Sequence, residues 1–466
     1  MSEGDRPVKA AGTLLSSGMM ERLKQLRGQT NGKQSERAIE SSHRHTPTRF
    51  EDLPSYKTLQ LQKAIAGFAG VDNPFYRAHA SAAGAETVID GRKLINFASY
   101  DYLATNTDLD VHAAAKAAID RYGISASASR LVAGERPLHL DLENAIAENY
   151  GVEAAVCFVS GYLTNLTAIS CLMGPQDLVI HDEFIHNSAL TGAQLSGAKR
   201  LSFKHNDVRD LERVLTNTKN TYRNILVIVE GIYSMDGDVA DIRAIVELRK
   251  NHPFWLMVDE AHALGVLGST GRGTFEHLDV DPREVDIWMG TLSKTSSSCG
   301  GYIAGTAALV EILKANAGGF VYSVGLAPPL AAAALASFSI LRSSPDRVAK
   351  LNQNGRLFLE NARDRGLDTG TSAGHSVVPV IVGDSLRAVE LSNRLFSHGI
   401  NALPIIHPAV PERLARIRFF LTCGHTTEQI ELAVEKTSVL LNELVEQKVG
   451  TASLDLDALQ RAIASG

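Results

Sequence analysis

Apolar and polar positions follow different rules in different parts of the chain. Residues 1–50 differ from the rest, and Gln25 to His45 is polar and almost free of large apolar side chains. Such a segment cannot offset the entropy of ordering itself, so residues 1–50 are expected to be mobile. Glu86 to Asn96 reads as two short strands around Asp90-Gly91, a dipeptide suited to a two-residue hairpin turn. Short apolar runs then alternate with helical patterns. Ala154–Phe158, Leu178–Ile180, Ile225–Val229, Phe254–Val258 and Tyr302–Ala304 predict buried strands, and Leu163–Leu172, Val208–Thr216 and Ile242–Lys250 predict helices. This alternation predicts an α/β fold with a mainly parallel sheet covered on both faces. Beyond Leu341 the pattern is that of a smaller α+β unit. It has helices over Arg347–Arg365, Ser385–His398 and Thr427–Gln447, and strands over Val377–Val382 and Arg416–Leu421. The predicted organisation is a basic segment (1–50), an arm with short strands (51–108), a large domain (109–341) and a small C-terminal domain with a polar tail (342–466).

Composition narrows the classes of function. With 466 residues, 44% hydrophobic and 21% charged, the chain can bury a large core without staples. Its formal net charge of −6 gives no global field for nucleic acid. The basic excess is local: residues 1–50 hold nine Lys/Arg against five Asp/Glu, a charge set for an acidic carrier protein or simply for solvent. Cys157, Cys171, Cys299 and Cys423 form no CxxC pair, which argues against a disulfide framework or a Cys-rich zinc site. The longest small-apolar stretch, Leu326 to Leu341, contains Pro328 and Pro329 and is shorter than the roughly 20 residues a membrane span needs. With no signal-peptide pattern, a cytoplasmic protein is expected.

Ligands of open α/β sheets bind at the carboxyl ends of the strands, so the residues that follow each strand carry the candidate chemistry. Ser160-Gly161-Tyr162 lies between a strand and a helix. It is either a plain turn or a place where backbone amides approach a phosphate. Asp259 ends a strand with His262 three residues on; in isolation the pair reads equally as a helix cap. Lys294 sits among hydroxyls and glycines in Thr291 to Gly301, within an apolar region. A desolvated lysine there would be an amine nucleophile, whereas a lysine on an exposed Ser-rich loop would not. His186 suits either ring stacking or a helix surface. Arg416 and Arg418 alternate along one strand and so face one way, toward a carboxylate or toward solvent. Asn165-Leu166-Thr167 matches a glycosylation sequon but lies on an apolar helix.

In chain order these positions, together with Glu230 and Ser234 in Glu230-Gly-Ile-Tyr-Ser-Met-Asp-Gly237, resemble the α-oxoamine synthases. These are pyridoxal-phosphate (PLP) enzymes of the aspartate aminotransferase fold, fold type I. Ile95-Asn-Phe-Ala-Ser-Tyr-Asp-Tyr-Leu103, Ser129-Arg-Leu-Val-Ala-Gly134 and Asp259-Glu-Ala-His262 carry the same likeness. The resemblance implies that Lys294 holds PLP as a Schiff base and later moves the α-proton. It implies that Asp259 pairs with the pyridine nitrogen, that His262 and Ser234 hold the phenolic oxygen, and that His186 stacks on the ring. Ser160, Gly161, Tyr162, Glu230 and Thr291 complete the cofactor site, and Ser323 reaches the phosphate of a partner subunit in a homodimer. Arg418, Tyr100 and Ser129 would contact substrate.

The implied reaction joins an amino acid to an acyl thioester of CoA or an acyl carrier protein, with decarboxylation to an α-amino ketone. Tyr100 stands where many family members have Asn. Lys294-Thr-Ser-Ser-Ser-Cys-Gly-Gly301, Asn73-Pro-Phe-Tyr-Arg77 and Phe203-Lys-His-Asn-Asp207 look closer to serine palmitoyltransferase and polyketide-associated members than to 8-amino-7-oxononanoate synthase or 2-amino-3-ketobutyrate CoA ligase. An ordinary class I/II aminotransferase is the competing enzyme. A catalytically silent subunit is the competing non-enzyme, although it would be expected to lose the lysine.

Overall fold

The computed structural model describes residues 49–453. The basic segment expected to be mobile falls outside them except for its last two residues. The N-terminal hairpin forms as its turn dipeptide predicts. Strand β1 (Glu86–Ile89) pairs antiparallel with β2 (Arg92–Asn96), and Asp90 and Gly91 both take positive φ, 50° and 72°. That is the backbone a type I′ turn requires.

The central sheet contains β3 (Ala154–Phe158), β4 (Leu178–Asp182), β5 (Lys199–Phe203), β6 (Ile225–Glu230), β7 (Trp255–Asp259), β8 (Ile287–Thr291) and β9 (Gly301–Gly305). Their spatial order is β3-β9-β8-β7-β6-β4-β5. Six strands run the same way, and β9 is antiparallel to both of its neighbours. Side chains alternate between two cores, one on each face. Val227, Val229, Leu256, Val258 and Trp288 enter one, and Leu226, Ile228, Met257, Ile287 and Met289 enter the other. Burial on both faces explains why these strands read as continuous apolar runs. Two strands escape that signal. β5 is a half-exposed edge strand, and β8 is a short Ile-Trp-Met-Gly-Thr run.

The C-terminal part adds β10 (Val377–Ile381), β11 (Ile400–Asn401), β12 (Leu403–Ile405) and β13 (Arg416–Phe420). Strands β10, β13 and β12 make an antiparallel sheet, with Pro379 on an edge strand, where a missing N–H is tolerated. Strand β11 pairs parallel with β2, so the N-terminal hairpin and the C-terminal part share a sheet. Helix Thr427–Glu446 packs against helices Pro345–Asp364 and Ser385–Ser397 and opens with a capping box between Thr426 and Gln429. No helix among the described residues is long and apolar enough to cross a membrane.

Candidate active site

Because six strands are parallel, their carboxyl ends gather on one edge and present Phe158, Asp182, Glu230, Asp259 and Thr291 together. The turn between β8 and β9 lies on the same edge, since Thr291 and Phe158 both pair with Gly301. Lys294 is on that turn. Its Nζ is 2.8 Å from His262 Nε2, and His262 Nδ1 is 2.6 Å from the hydroxyl of Tyr102. Asp259 accepts from the Ala261 amide at Oδ1 (3.0 Å) and from Asn165 Nδ2 at Oδ2 (3.0 Å). Glu230 lies opposite Asp259 in the β6–β7 register.

Burial sets the protonation of this group. Desolvation lowers the pKa of Lys294 against the pull of Asp259 and Glu230, which favours the neutral amine. Burial, reinforced by the Asp259 charge, raises the Glu230 carboxyl well above the usual range. Burial and the cations Lys294 and Arg418 hold His262 far below an ordinary histidine, so its imidazole is neutral. His186 is lowered too, again chiefly by burial.

Helix Gly161–Leu172 points its N-terminus at the same edge, and Ser160 caps it. A Cβ added at Gly161 would lie 2.7 Å from Thr291 Oγ1, so only glycine lets that helix end approach β8 so closely. Thr291 Oγ1 bonds to the Gly300 carbonyl and the Ser293 hydroxyl. Tyr162, half-exposed, donates to Asn187 Oδ1. His186 caps the helix that starts at Asn187, with its Nδ1 2.7 Å from the Ser188 hydroxyl.

The two arginines of β13 separate in role. Arg416 is buried in an ion pair with Asp236 (2.6 Å) and is used up there. Arg418 Nη1 donates to the Ser234 carbonyl at 2.8 Å, while its Nε is buried with no partner. The Ser234 amide in turn donates to Glu230. Tyr100 packs edge-on against Phe420, and Lys294 Nζ stands 5.7 Å from its ring centre. Ser129 and Ser323 are elsewhere. They line a surface concavity with Leu131, Val132 and Tyr322, and its walls contain none of the residues around Lys294.

Sequence reasoning missed two close contacts of this constellation. Asn165, the discarded sequon residue, is 1% exposed and holds both Asp259 and Ser188. Its signal is a polar side chain one helical turn after Gly161 on an otherwise apolar helix. Tyr102 lies in the quoted Ile95–Leu103 stretch but has no signal of its own, because a buried tyrosine is ordinarily core.

PLP needs an amine for its aldehyde, an acid for its ring nitrogen and a phosphate cradle. The desolvated Lys294, the Asp259 carboxylate and the glycine-dependent helix end at Gly161 fit those needs. The unpartnered Glu230 Oε1 and Arg418 Nε show that polar groups converge here beyond what the protein itself satisfies. The family model "Aminotransferase class I and II" matches residues 92–436. An 8-amino-7-oxononanoate synthase from Symbiobacterium thermophilum is 41% identical over 358 residues, spanning 77% of this chain and 91% of that protein.

The chain belongs to the PLP-dependent α-oxoamine synthases.

Solved structures agree. Sphingomonas wittichii serine palmitoyltransferase superposes on the synthase with a TM-score of 0.79 and 32% identity, covering 83% of this chain and 96% of that one. The Francisella tularensis 8-amino-7-oxononanoate synthase gives 0.66 and 27%, covering 76% and 99%. The synthase is thus a PLP-dependent acyltransferase of fold type I. Serine palmitoyltransferase and oxononanoate synthase are both structural neighbours and the sequence relatives are oxononanoate synthases at 37–41% identity, so the likeness is to the family and, among its branches, fits oxononanoate synthase best.

Proposed function

We propose that this synthase condenses a small amino acid with an acyl thioester and releases carbon dioxide, thiol and an α-amino ketone. The observation that carries the reading is the half-buried amine of Lys294 against His262, lowered by desolvation to about 8 against the opposing charges of Asp259 and Glu230. Lys294 holds the cofactor aldehyde, and its Nζ afterwards accepts the α-proton of the amino acid. Asp259, braced by Asn165 and the Ala261 amide, keeps a proton on the ring nitrogen. When bound, PLP supplies the electron sink for negative charge at the α-carbon. Thr291, Ser160 and the amides of Gly161 and Tyr162 bind phosphate, and His186 flanks the ring. His262 and Ser234 hold the phenolic oxygen, with Glu230 as a protonated neighbour. Arg418, free at Nε, binds the substrate carboxylate and Tyr100 closes the pocket beside it. The oxononanoate synthase and palmitoyltransferase relatives support a condensing enzyme over an aminotransferase, and the retained Lys294 speaks against a silent subunit.

Residues 109–341 would form the cofactor-binding domain and 342–466 the smaller one, in a homodimer. The dimer reading is supported by the apolar rim around Ser129 and Ser323, where Leu131, Val132 and Tyr322 are 64%, 81% and 89% exposed. A second copy seated there would bury them and bring Ser323 toward the neighbouring phosphate cradle.

A second reading concerns the acyl donor. The product that names the curated relatives, 8-amino-7-oxononanoate, is what decarboxylated alanine joined to a seven-carbon acyl group with a terminal carboxylate would give. A longer, uncharged acyl chain is the reading that follows the palmitoyltransferase likeness. Product mass spectrometry decides: glycine, alanine and serine are each offered with CoA and carrier-protein thioesters of several lengths, with and without a terminal carboxylate. An α-amino ketone is expected with at least one pair, and formation of a keto acid without any thioester would overturn the proposal.

A further inference from the structure

Arg416 and Arg418 lie two residues apart on β13, so their side chains leave the same face of the sheet. Both reach one loop that follows β6, residues 233–238, and take consecutive carbonyls there. Arg418 Nη1 donates to the Ser234 carbonyl at 2.8 Å, and Arg416 Nη1 donates to the Met235 carbonyl at 3.0 Å. Met235 touches both arginines, because its Sδ stands 3.6 Å from Arg418 Nη1. A guanidinium only donates, so each of these bonds has a fixed direction.

Arg416 is held on every side. Its Nε donates to the Leu414 carbonyl at 2.9 Å and its Nη1 pairs with Asp236 at 2.6 Å, the two side chains being 3% and 12% exposed. The ends of the loop have anchors of their own. Tyr233 donates its hydroxyl proton to Asp182 at 2.9 Å, and the Ala373 amide donates to the Gly237 carbonyl at 3.1 Å. Gly237 takes φ 74°, and a Cβ there would lie 2.1 Å from the Val377 carbonyl oxygen. Between those anchors, the side chain that grips the Met235–Asp236 stretch is Arg416.

Arg418 takes its orientation from that stretch. Its guanidinium lies 4.5 Å over the Phe420 ring, and its bonded corner is Nη1. Its Nε is buried without a partner, and its Nη2 makes no hydrogen bond to the described residues. Nε and Nη2 form the side-on edge that meets a carboxylate with two parallel bonds. Turning the carbonyl and sulfur that hold Nη1 would turn that edge with them. The hydrogen bonds of Lys294 and Asp259 do not pass through this stretch, and the Ser234 amide keeps its bond to Glu230.

We propose that Arg416 is a positioning residue for amino-acid binding: by fixing Met235 and Asp236 it holds the Nε–Nη2 edge of Arg418 toward the substrate carboxylate. This rests on the reading that Arg418 binds that carboxylate. Arg416 itself touches nothing that reacts.

The test isolates the carboxylate. Glycine, L-alanine and L-serine are titrated into holoenzyme beside glycinamide, L-alaninamide and L-serinamide, with binding read from the absorbance of the bound cofactor. The quantity read is the preference for the acid over its amide. In Arg416→Gln that preference should fall about tenfold relative to wild type, the weight of one misaligned charged hydrogen bond, with PLP affinity retained. Because Arg416→Gln leaves Asp236 buried and unpaired, Arg416→Gln with Asp236→Asn is measured too, which removes both charges and should give the same fall. A purely structural role would weaken acid, amide and PLP binding alike. That result, an unchanged preference in either variant, or failure of the double variant to retain PLP, overturns the proposal. Arg418→Gln should abolish the preference. If it does not, the reading of Arg418 fails and the proposal with it; a preference lost in Arg418→Gln but intact in the Arg416 variants overturns the proposal alone.

Discussion

Replacing Asp259 with Asn keeps the size of the side chain and removes its charge, and the surroundings say what else it does. Each carboxylate oxygen accepts one hydrogen bond, Oδ1 from the Ala261 amide and Oδ2 from Asn165 Nδ2. An amide has one acceptor oxygen, so in Asp259→Asn its NH₂ must face one of those two donors. The donor left unsatisfied costs about 1–3 kcal/mol. The chemistry loses its partner for the ring nitrogen, and turnover should fall about 10²–10⁴-fold, as for other acid–base deletions. The two effects separate in the reciprocal pair Asn165→Asp with Asp259→Asn. There the new amide at 259 donates to the new carboxylate at 165 and accepts from Ala261, so every donor again has an acceptor. Thermal unfolding of the holoenzyme should show the single variant less stable than the double variant by about the cost just given. Thiol release from the thioester should show both variants impaired alike, because neither has a charge at 259. Near-normal turnover in the single variant, or recovery of turnover in the double variant, would falsify the role of Asp259.

Lys294→Ala should lose the visible, borohydride-reducible absorbance of the bound cofactor, and turnover should fall by several orders of magnitude; an active alanine variant would end the assignment. Gly161→Ala places a methyl 2.7 Å from Thr291 Oγ1. Equilibrium titration should show weaker PLP binding with the circular dichroism spectrum intact, and unchanged affinity would separate that helix end from the phosphate. His205 is pulled down by burial but raised overall, to about 10, by its bonds to Asp182 and Asp238. Its folded pKa lies above the unfolded value, so its stabilisation is complete below pH ~6.5 and lost as pH rises through ~10. Denaturation of wild-type protein against His205→Gln should show a gap that closes over that window, and a gap widening with pH would contradict the assignment.

Most of the sheet was legible because its strands are buried on both faces. Ala154–Phe158 is read at its observed bounds, and β6 and β7 within a residue or two. Strand β5 was not, since Lys-Arg-Leu-Ser-Phe at an edge keeps its polar side chains in water and resembles a loop. The reversal of β9 was illegible for another reason: a short apolar run does not state its direction. At the site, motif spacing singled out Lys294, His262 and Asp259, which the fold gathers at one sheet edge, and did not single out the residues that hydrogen-bond to them. Asn165 matched a surface sequon although it is buried, and Arg416 matched Arg418 in register although Asp236 occupies it. Which neighbour consumes a side chain is decided by packing across the fold, and periodicity along one element does not contain it.

The placement of β9 also governs when the protein can become competent during synthesis. Strand β3 is hydrogen-bonded in the sheet to β9 alone, and the helix that begins at Gly161 can meet Thr291 and Gly301 only once those residues exist. At elongation rates of about 5–20 residues per second, β3 leaves the ribosome about 7–30 seconds before its partner. Through that interval an apolar strand has an unpaired edge, the state most exposed to aggregation and to chaperone capture. On the proposed assignment of that helix end to the phosphate, the nascent chain would lack its cradle until β9 has emerged.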